Sequence, residues 1–131
     1  GVEILVDVGH NPQAARALAE WMQHTPATGR TFAVYAALGD KDAAGVVGAL
    51  ADRVDEWFLA GLEDAGPRGT PVQAFAERLH GTAAAAGARH ATVPEALAAA
   101  RAAARSGDRL LVFGSFFTVA SAMTALGSEA G

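Results

Sequence analysis

The stretch that most limits what this chain can fold into is Glu3-Ile4-Leu5-Val6-Asp7-Val8-Gly9-His10-Asn11-Pro12, an apolar strand running straight into a helix start. Ile4, Leu5 and Val6 are consecutive rather than alternating apolar residues. That is the pattern of a strand covered on both faces of a parallel sheet, and it predicts a central strand. Asp7 closes the run, Gly9 permits a tight turn, and Asn11 is a favoured N-cap. Pro12 suits the first helical position, where its missing N–H leaves nothing unpaired. The turn thus sets a carboxylate, an imidazole and an amide at the carboxyl end of one strand. In open α/β sheets ligands bind at that end, and free N–H groups at the following helix start favour anions such as phosphate. Asn11 can equally be only a cap and Asp7 only a partner for turn amides. His10 tips the reading towards a site, because an imidazole at the apex of a tight turn has little reason to be there for packing.

A chain of 131 residues is one domain with a single core. Its apolar content of 51% and charged content of 18% fit a soluble globular protein, and a net charge of −4 leaves no electrostatic footprint for nucleic acid. No apolar run approaches the ~20 residues that span a bilayer. The absence of cysteine excludes disulfides and thiolate metal sites. No secretory signal opens the chain, and a cytoplasmic location is expected. Residue 1 lies two residues from the first strand, which reads as a piece cut from a longer protein. Gly127-Ser128-Glu129-Ala130-Gly131 reads as a frayed tail.

In order, the pattern predicts a helix from Pro12 to about His24, with Ala14, Leu18, Trp21 and Met22 inward and Gln13, Arg16, Glu20 and Gln23 outward. A second strand, Thr31 to Leu38, is rich in β-formers and buried on both faces. Gly39-Asp40-Lys41-Asp42 follows as a charged loop, then a helix from about Ala43 to Arg53 with Val47, Leu50 and Ala51 inward. Asp40 and Asp42 suit a helix cap at the positive end of its dipole. The functional alternative is that Lys41, between two carboxylates, meets an anionic ligand or a neighbouring domain.

Glu56 to Ala60 is a third strand, and Gly61 to Pro71, with Glu63, Asp64 and Arg68, a surface loop. Pro71 to about Ala86 is predicted helical, the alanine run acting as a helix former, with His80 near an exposed helix end. A short strand at Arg89 to Thr92, a helix from Glu95 to about Arg105, a fifth strand from Asp108 to Gly114 and a closing helix complete the chain. Arg101 and Arg105 belong to a solvated face. Ser115 is either the last helix's N-cap or a hydroxyl on the same sheet edge as Asp7. The order βαβαβαβαβα predicts an α/β, Rossmann-like doubly wound and mostly parallel sheet of five to six strands with helices on both faces. The polar turns after strands one, two and five then fall along one edge.

Several chemistries are missing. Neither G-x-G-x-x-G nor G-x-x-x-x-G-K-[ST] occurs, so the chain has neither standard phosphate cradle. His10, His24, His80 and His90 lack metal spacing, and there is no G-x-S-x-G elbow, since Gly114-Ser115 is followed by two phenylalanines. The residues alone reach a ligand-binding α/β domain. A dehydrogenase is disfavoured by the missing glycine fingerprint, and a non-catalytic Rossmann-like nucleotide-binding or receiver-type module stays open.

Asp-Val-Gly-His-Asn-Pro resembles the Asp-x-x-His-Asn-Pro signature of folylpolyglutamate synthases and bifunctional dihydrofolate synthases, members of the Mur ligase superfamily. Leu38-Gly39-Asp40-Lys41-Asp42 is similar to that family's Asp-Lys-Asp loop and Gly66-Pro67-Arg68-Gly69 to its proline-arginine loop. Phe113 through Ala120 is similar to its last-strand motif, with Phe117 where many relatives carry histidine or tyrosine. The resemblance spans essentially the whole chain. It implies the carboxyl-terminal (glutamate ligase) domain over residues 1–126 of an ATP-dependent ligase that phosphorylates a pteroate or folate carboxylate and joins it to L-glutamate.

On that resemblance Asp7 would bind the nucleotide at its ribose, and His10, the catalytic candidate, would line the nucleotide and glutamate cleft with Asn11. Asp40, Lys41, Ser115 and Phe116 would lie on the glutamate side or the interdomain face. The P-loop and the magnesium ligands would belong to a preceding domain, without which this piece is expected to be inactive.

Overall fold

The computed structural model describes residues 1–7, 11–38, 42–62 and 70–130, apart from the side chains of Phe116 and residues 128–130. Five strands, β1 (Glu3–Asp7), β2 (Thr31–Tyr35), β3 (Glu56–Ala60), β4 (Ala88–His90) and β5 (Arg109–Phe113), alternate with five helices. The helices are α1 (Pro12–His24), α2 (Ala43–Leu50), α3 (Val72–Arg78), α4 (Val93–Ala103) and α5 (Phe116–Ala130). The strands form one sheet in the order β1-β5-β2-β3-β4, and every pairing is parallel.

Side-chain alternation splits the core between two faces. On one face Ala33, Tyr35, Trp57, Leu59, Leu111 and Phe113 pack beneath α1, α2 and α3. On the other, Phe32, Val34, Phe58, Leu110 and Val112 meet α4 and α5. The first face is built around an aromatic cluster. Tyr35 stacks on Phe113 at 4.5 Å between centroids, and Phe75 meets Tyr35 edge-on at 5.1 Å.

β1 is the element the sequence places wrongly. It lies at the sheet edge, pairs with β5 alone among the described residues, and leaves Val6 43% exposed. Central positions go to β5 and β2, both buried throughout. A run of three apolar residues reports that a strand has some cover on each face, here Leu5 towards α1 and Ile4 towards the α4 and α5 side. It carries no information about lateral neighbours.

Local signals set most helix ends. Asn11 Oδ1 accepts from the Ala14 N–H at 2.8 Å with Pro12 opening α1, and Asp42 caps α2 through the Gly45 N–H at 3.0 Å. Thr92 caps α4 through the Glu95 N–H, while Glu95 reaches back to the Ala91 N–H. Trp21, expected inward, is 43% exposed and lies against the Arg109 guanidinium, 5.3 Å from the ring centroid.

α2 ends at Leu50, with a 3₁₀ turn over Ala51–Arg53 that leaves Ala51 only half-buried. α3 ends at Arg78, eight residues short of the expectation, because Gly81 takes φ +83° and Thr82 Oγ1 donates to the Leu79 carbonyl at 2.6 Å. The alanine run then follows as turns, so tertiary context overrides helix propensity there. At the far end, α5 continues through Ala130.

Candidate functional site

Because all five strands are parallel, their carboxyl ends share one rim. The register sets Asp7, Phe113 and Tyr35 side by side across β1, β5 and β2. The carboxyl ends of these three strands are therefore contiguous. The chain after β1 and β2 rises to α1 and α2 on one face, whereas the chain after β5 rises to α5 on the opposite face. Helices departing to opposite sides of the sheet mark a topological switch point, the position outside the strand ends where open α/β sheets bind ligands.

Asp7 closes β1 and is half-buried at this rim. Asn11, exposed, is occupied in capping α1. The starts of α1 and α2 lie side by side, close enough that a Cβ added at Gly45 would sit 2.7 Å from Pro12 Cγ. Two helix N-termini thus present their partial positive charge to one region. His10, Asp40 and Lys41 lie outside the described residues, as does the proline-arginine loop.

The third corner is organised by Gly114, Ser115 and Thr118. Gly114 has φ +124°, a region L side chains rarely adopt, and approaches the Ala36 carbonyl so closely that no Cβ fits. Ser115, 3% exposed, accepts the Thr118 N–H at 3.1 Å and shares a 2.9 Å hydrogen bond with the Thr118 hydroxyl. Thr118 Oγ1 then donates to the Ala36 carbonyl at 2.7 Å, which ties the β5–α5 corner to the chain leaving β2. The Ser115 hydroxyl is therefore turned inward as a cap. The Phe116 backbone opens α5 beside it.

Three contributors were not singled out from sequence. Thr118 is the buried bridge just named. Tyr35 is fully buried at the end of β2, and its hydroxyl has no hydrogen-bond partner among the described residues. Burial pushes that phenol well above its ordinary range, the Arg78 charge opposes the shift and the Asp42 charge adds to it. Arg78, at the end of α3, donates through Nη1 to the Leu38 carbonyl at 3.2 Å. A tyrosine in an apolar run and an arginine in a helix's last turn carry no sequence signal beyond strand and helix formation.

Among the described residues no group of three His, Cys, Asp or Glu is arranged to hold a metal ion, and no helix is long and apolar enough to cross a membrane. This rim thus offers a carboxylate and helix N-termini beside a corner that Ser115 and Thr118 hold rigid. That set suits an anionic or polyhydroxylated ligand.

The model for the Mur ligase glutamate ligase domain matches residues 1–116. The dihydrofolate synthase/folylpolyglutamate synthase of Escherichia coli strain K12 is 42% identical over 120 residues, which are 92% of this chain and 27% of that protein. The fold superposes on E. coli FolC in complex with DHPP and ADP with a TM-score of 0.85 at 39% identity, covering 98% of this chain and 29% of the other. A bifunctional folylpolyglutamate synthase/dihydrofolate synthase with Mn, AMPPNP and L-glutamate bound superposes at 0.82 with 40% identity, over 95% of this chain and 29% of that one. The chain therefore spans little more than a quarter of the proteins it resembles. With the family model covering most of the residues, and the parallel five-stranded fold matching these solved structures, this chain belongs to the Mur ligase family as its glutamate ligase domain.

Proposed function

We propose that this chain is the carboxyl-terminal domain of a cytoplasmic ATP-dependent ligase of folate biosynthesis that adds L-glutamate to dihydropteroate, to folate, or to both. The observation that supports the reading is the β1-β5-β2 strand order, which sets the carboxyl ends of these three strands, Asp7 at the first, side by side on one rim. Support also comes from a relative whose structure holds AMPPNP and L-glutamate and another that holds DHPP and ADP.

In the proposed reaction a pteroate or folate carboxylate oxygen attacks the γ-phosphorus of ATP, giving an acyl phosphate and ADP. The amino group of L-glutamate then adds to the acyl carbon, phosphate leaves, and the amine's proton is lost as the amide forms. Asp7 would accept hydrogen bonds from the nucleotide ribose, with His10 and Asn11 lining the nucleotide and glutamate cleft and His10 the catalytic candidate. Asp40, Lys41, Ser115 and Phe116 would form the glutamate side, Ser115 by keeping its corner rigid through Thr118. Magnesium would be held mainly by the preceding ATPase domain. Closing two domains on the cleft keeps water from the acyl phosphate. The isolated chain, holding half of that cleft, is expected to show negligible ligation.

The test is Asp7→Ala in the full-length enzyme. Losing a charge-assisted hydrogen bond predicts a rise of about 10- to 100-fold in the KM for ATP. An unchanged KM removes Asp7 from the nucleotide site.

A further inference from the structure

Arg109 and Thr31 open β5 and β2 and stand opposite each other in the register, so their side chains share the face beneath α1 and α2. Both are buried, at 2% and 6% exposure. The fold uses only part of each. Arg109 Nε donates to Glu3 Oε1 at 2.6 Å, and the guanidinium is held 5.3 Å from the Trp21 ring centroid. Its Nη1 and Nη2, and the Thr31 hydroxyl, make no hydrogen bond among the described residues. Nor are these atoms sealed from solvent, since the sealed polar atoms without a partner there are Tyr35 Oη and His90 Nε2. They open onto a cavity of about 170 Å³, lined in part by the buried Met22 and edged by the exposed Asp52, Arg53 and Asp55. That is room for roughly five or six waters, or one small molecule.

The lining selects the class of ligand. A guanidinium already fixed through Nε presents its Nη groups as a preset fork, and beside a hydroxyl this suits a carboxylate. Charge disfavours a bare anion. Glu3 already neutralises Arg109, and Asp52 and Asp55 outnumber Arg53 at the cavity's edge, so a phosphate would meet net negative surroundings. A ligand with an ammonium group beside its carboxylate answers both ends. Asp55 is held in place for the ammonium, because its Oδ2 accepts the Thr31 N–H at 2.7 Å while Oδ1 is left over. Met22 offers apolar contact to a short side chain.

We infer that this cavity binds a small free α-amino acid, its carboxylate on Arg109 and Thr31 and its ammonium group towards Asp52 and Asp55. The site shares no residue with the ligase reading and does not depend on it.

The test is calorimetric titration of the full-length protein with L-alanine and with propionate, the same molecule without its ammonium group. L-Alanine is expected to bind with a Kd of about 0.1 to 1 mM, and propionate about 10-fold more weakly. Asp52→Asn combined with Asp55→Asn keeps an acceptor for the Thr31 N–H and removes both charges. It should bring L-alanine down to the level of propionate. Thr31→Val is expected to weaken both ligands by about three- to tenfold. Arg109→Met should abolish both, and Glu3, left without its partner, has a side chain 48% exposed to water. Should Arg109→Met fail to fold, the near-isosteric threonine and aspartate variants carry the test. No binding at about 10 mM L-alanine overturns the inference. So does propionate or inorganic phosphate binding as tightly as L-alanine, which would make the cavity a plain anion hole. L-Alanine binding that all the variants leave unmoved places the amino acid elsewhere and overturns it too.

Discussion

At the rim where the strands begin, polar side chains are spent on the fold. Asp108 accepts the backbone N–H groups of Arg30 and Arg105, each at 2.8 Å, and Asp55 accepts the Thr31 N–H at 2.7 Å. Arg109, almost wholly buried, pairs with Glu3 at 2.6 Å, and Arg30 pairs with Glu56 at 3.2 Å. At the opposite rim, where the strands end, the bookkeeping is looser. The two buried side-chain polar atoms without a hydrogen-bond partner among the described residues, Tyr35 Oη and His90 Nε2, both belong to the last residue of a strand, β2 and β4. Natural proteins satisfy nearly all buried polar groups, and departures concentrate where function constrains the residues. The contrast teaches that one rim is optimised for holding strands together and the other is held open to a second requirement.

The largest effect expected from breaking this contrast lies at Gly114. Gly114→Ala forces an L residue to φ +124° and drives its Cβ into the Ala36 carbonyl, which is backbone and has little room to yield. Strain and overpacking together predict a loss of about 3 to 5 kcal/mol, measured by denaturant unfolding. A loss under about 1 kcal/mol would mean that the β5–α5 corner is not rigid.

A different signature is expected at the other rim. Two backbone N–H groups, with the Arg30 and Arg105 charges, hold the Asp108 carboxyl below the ordinary carboxylate range. A group whose native pKa is lowered contributes stability that is full above its unfolded value near 4 and is lost as pH falls through the native value. Asp108→Asn should therefore lower the melting temperature at neutral pH and flatten the decline on the acid side of about pH 4. Melts across pH that leave the acid limb as steep as in the wild type would place that titration elsewhere.

These two sites also show what the sequence makes legible. The βα order, the parallel sheet, β3 and the caps at Asn11 and Asp42 follow from short-range chemistry, because the cap and the N–H it satisfies lie three residues apart. That Asp7, the β2 turn and Ser115 share a rim follows from parallel strands alone. That they are contiguous does not, since it depends on β5 inserting between β1 and β2, a pairing made across more than 70 residues of chain. The same limit explains the misplacement of β1 and the invisibility of Thr118, Tyr35 and Arg78. The bonds from Thr118 to Ala36 and from Arg78 to Leu38 join residues 82 and 40 positions apart.

The smallest effect, and the one that sharpens the contrast most, concerns the Tyr35 hydroxyl. Its ring is well used, stacked on Phe113 and met edge-on by Phe75, so the aromatic body explains the residue without the oxygen. The oxygen is buried with no partner among the described residues, and such a group costs the desolvation it never recovers. Tyr35→Phe keeps every ring contact and removes only that cost. It should therefore be neutral or stabilising by up to about 1 kcal/mol in denaturant unfolding of the isolated chain. In the full-length enzyme the same variant reports what the oxygen is for. A glutamate KM that rises while stability does not fall would assign the hydroxyl to the working cleft, with its desolvation tolerated for function. Destabilisation of the isolated chain by 1 kcal/mol or more would instead mean that the oxygen finds a partner in the folded protein, and the looseness attributed to the carboxyl-terminal rim would then rest on His90 alone.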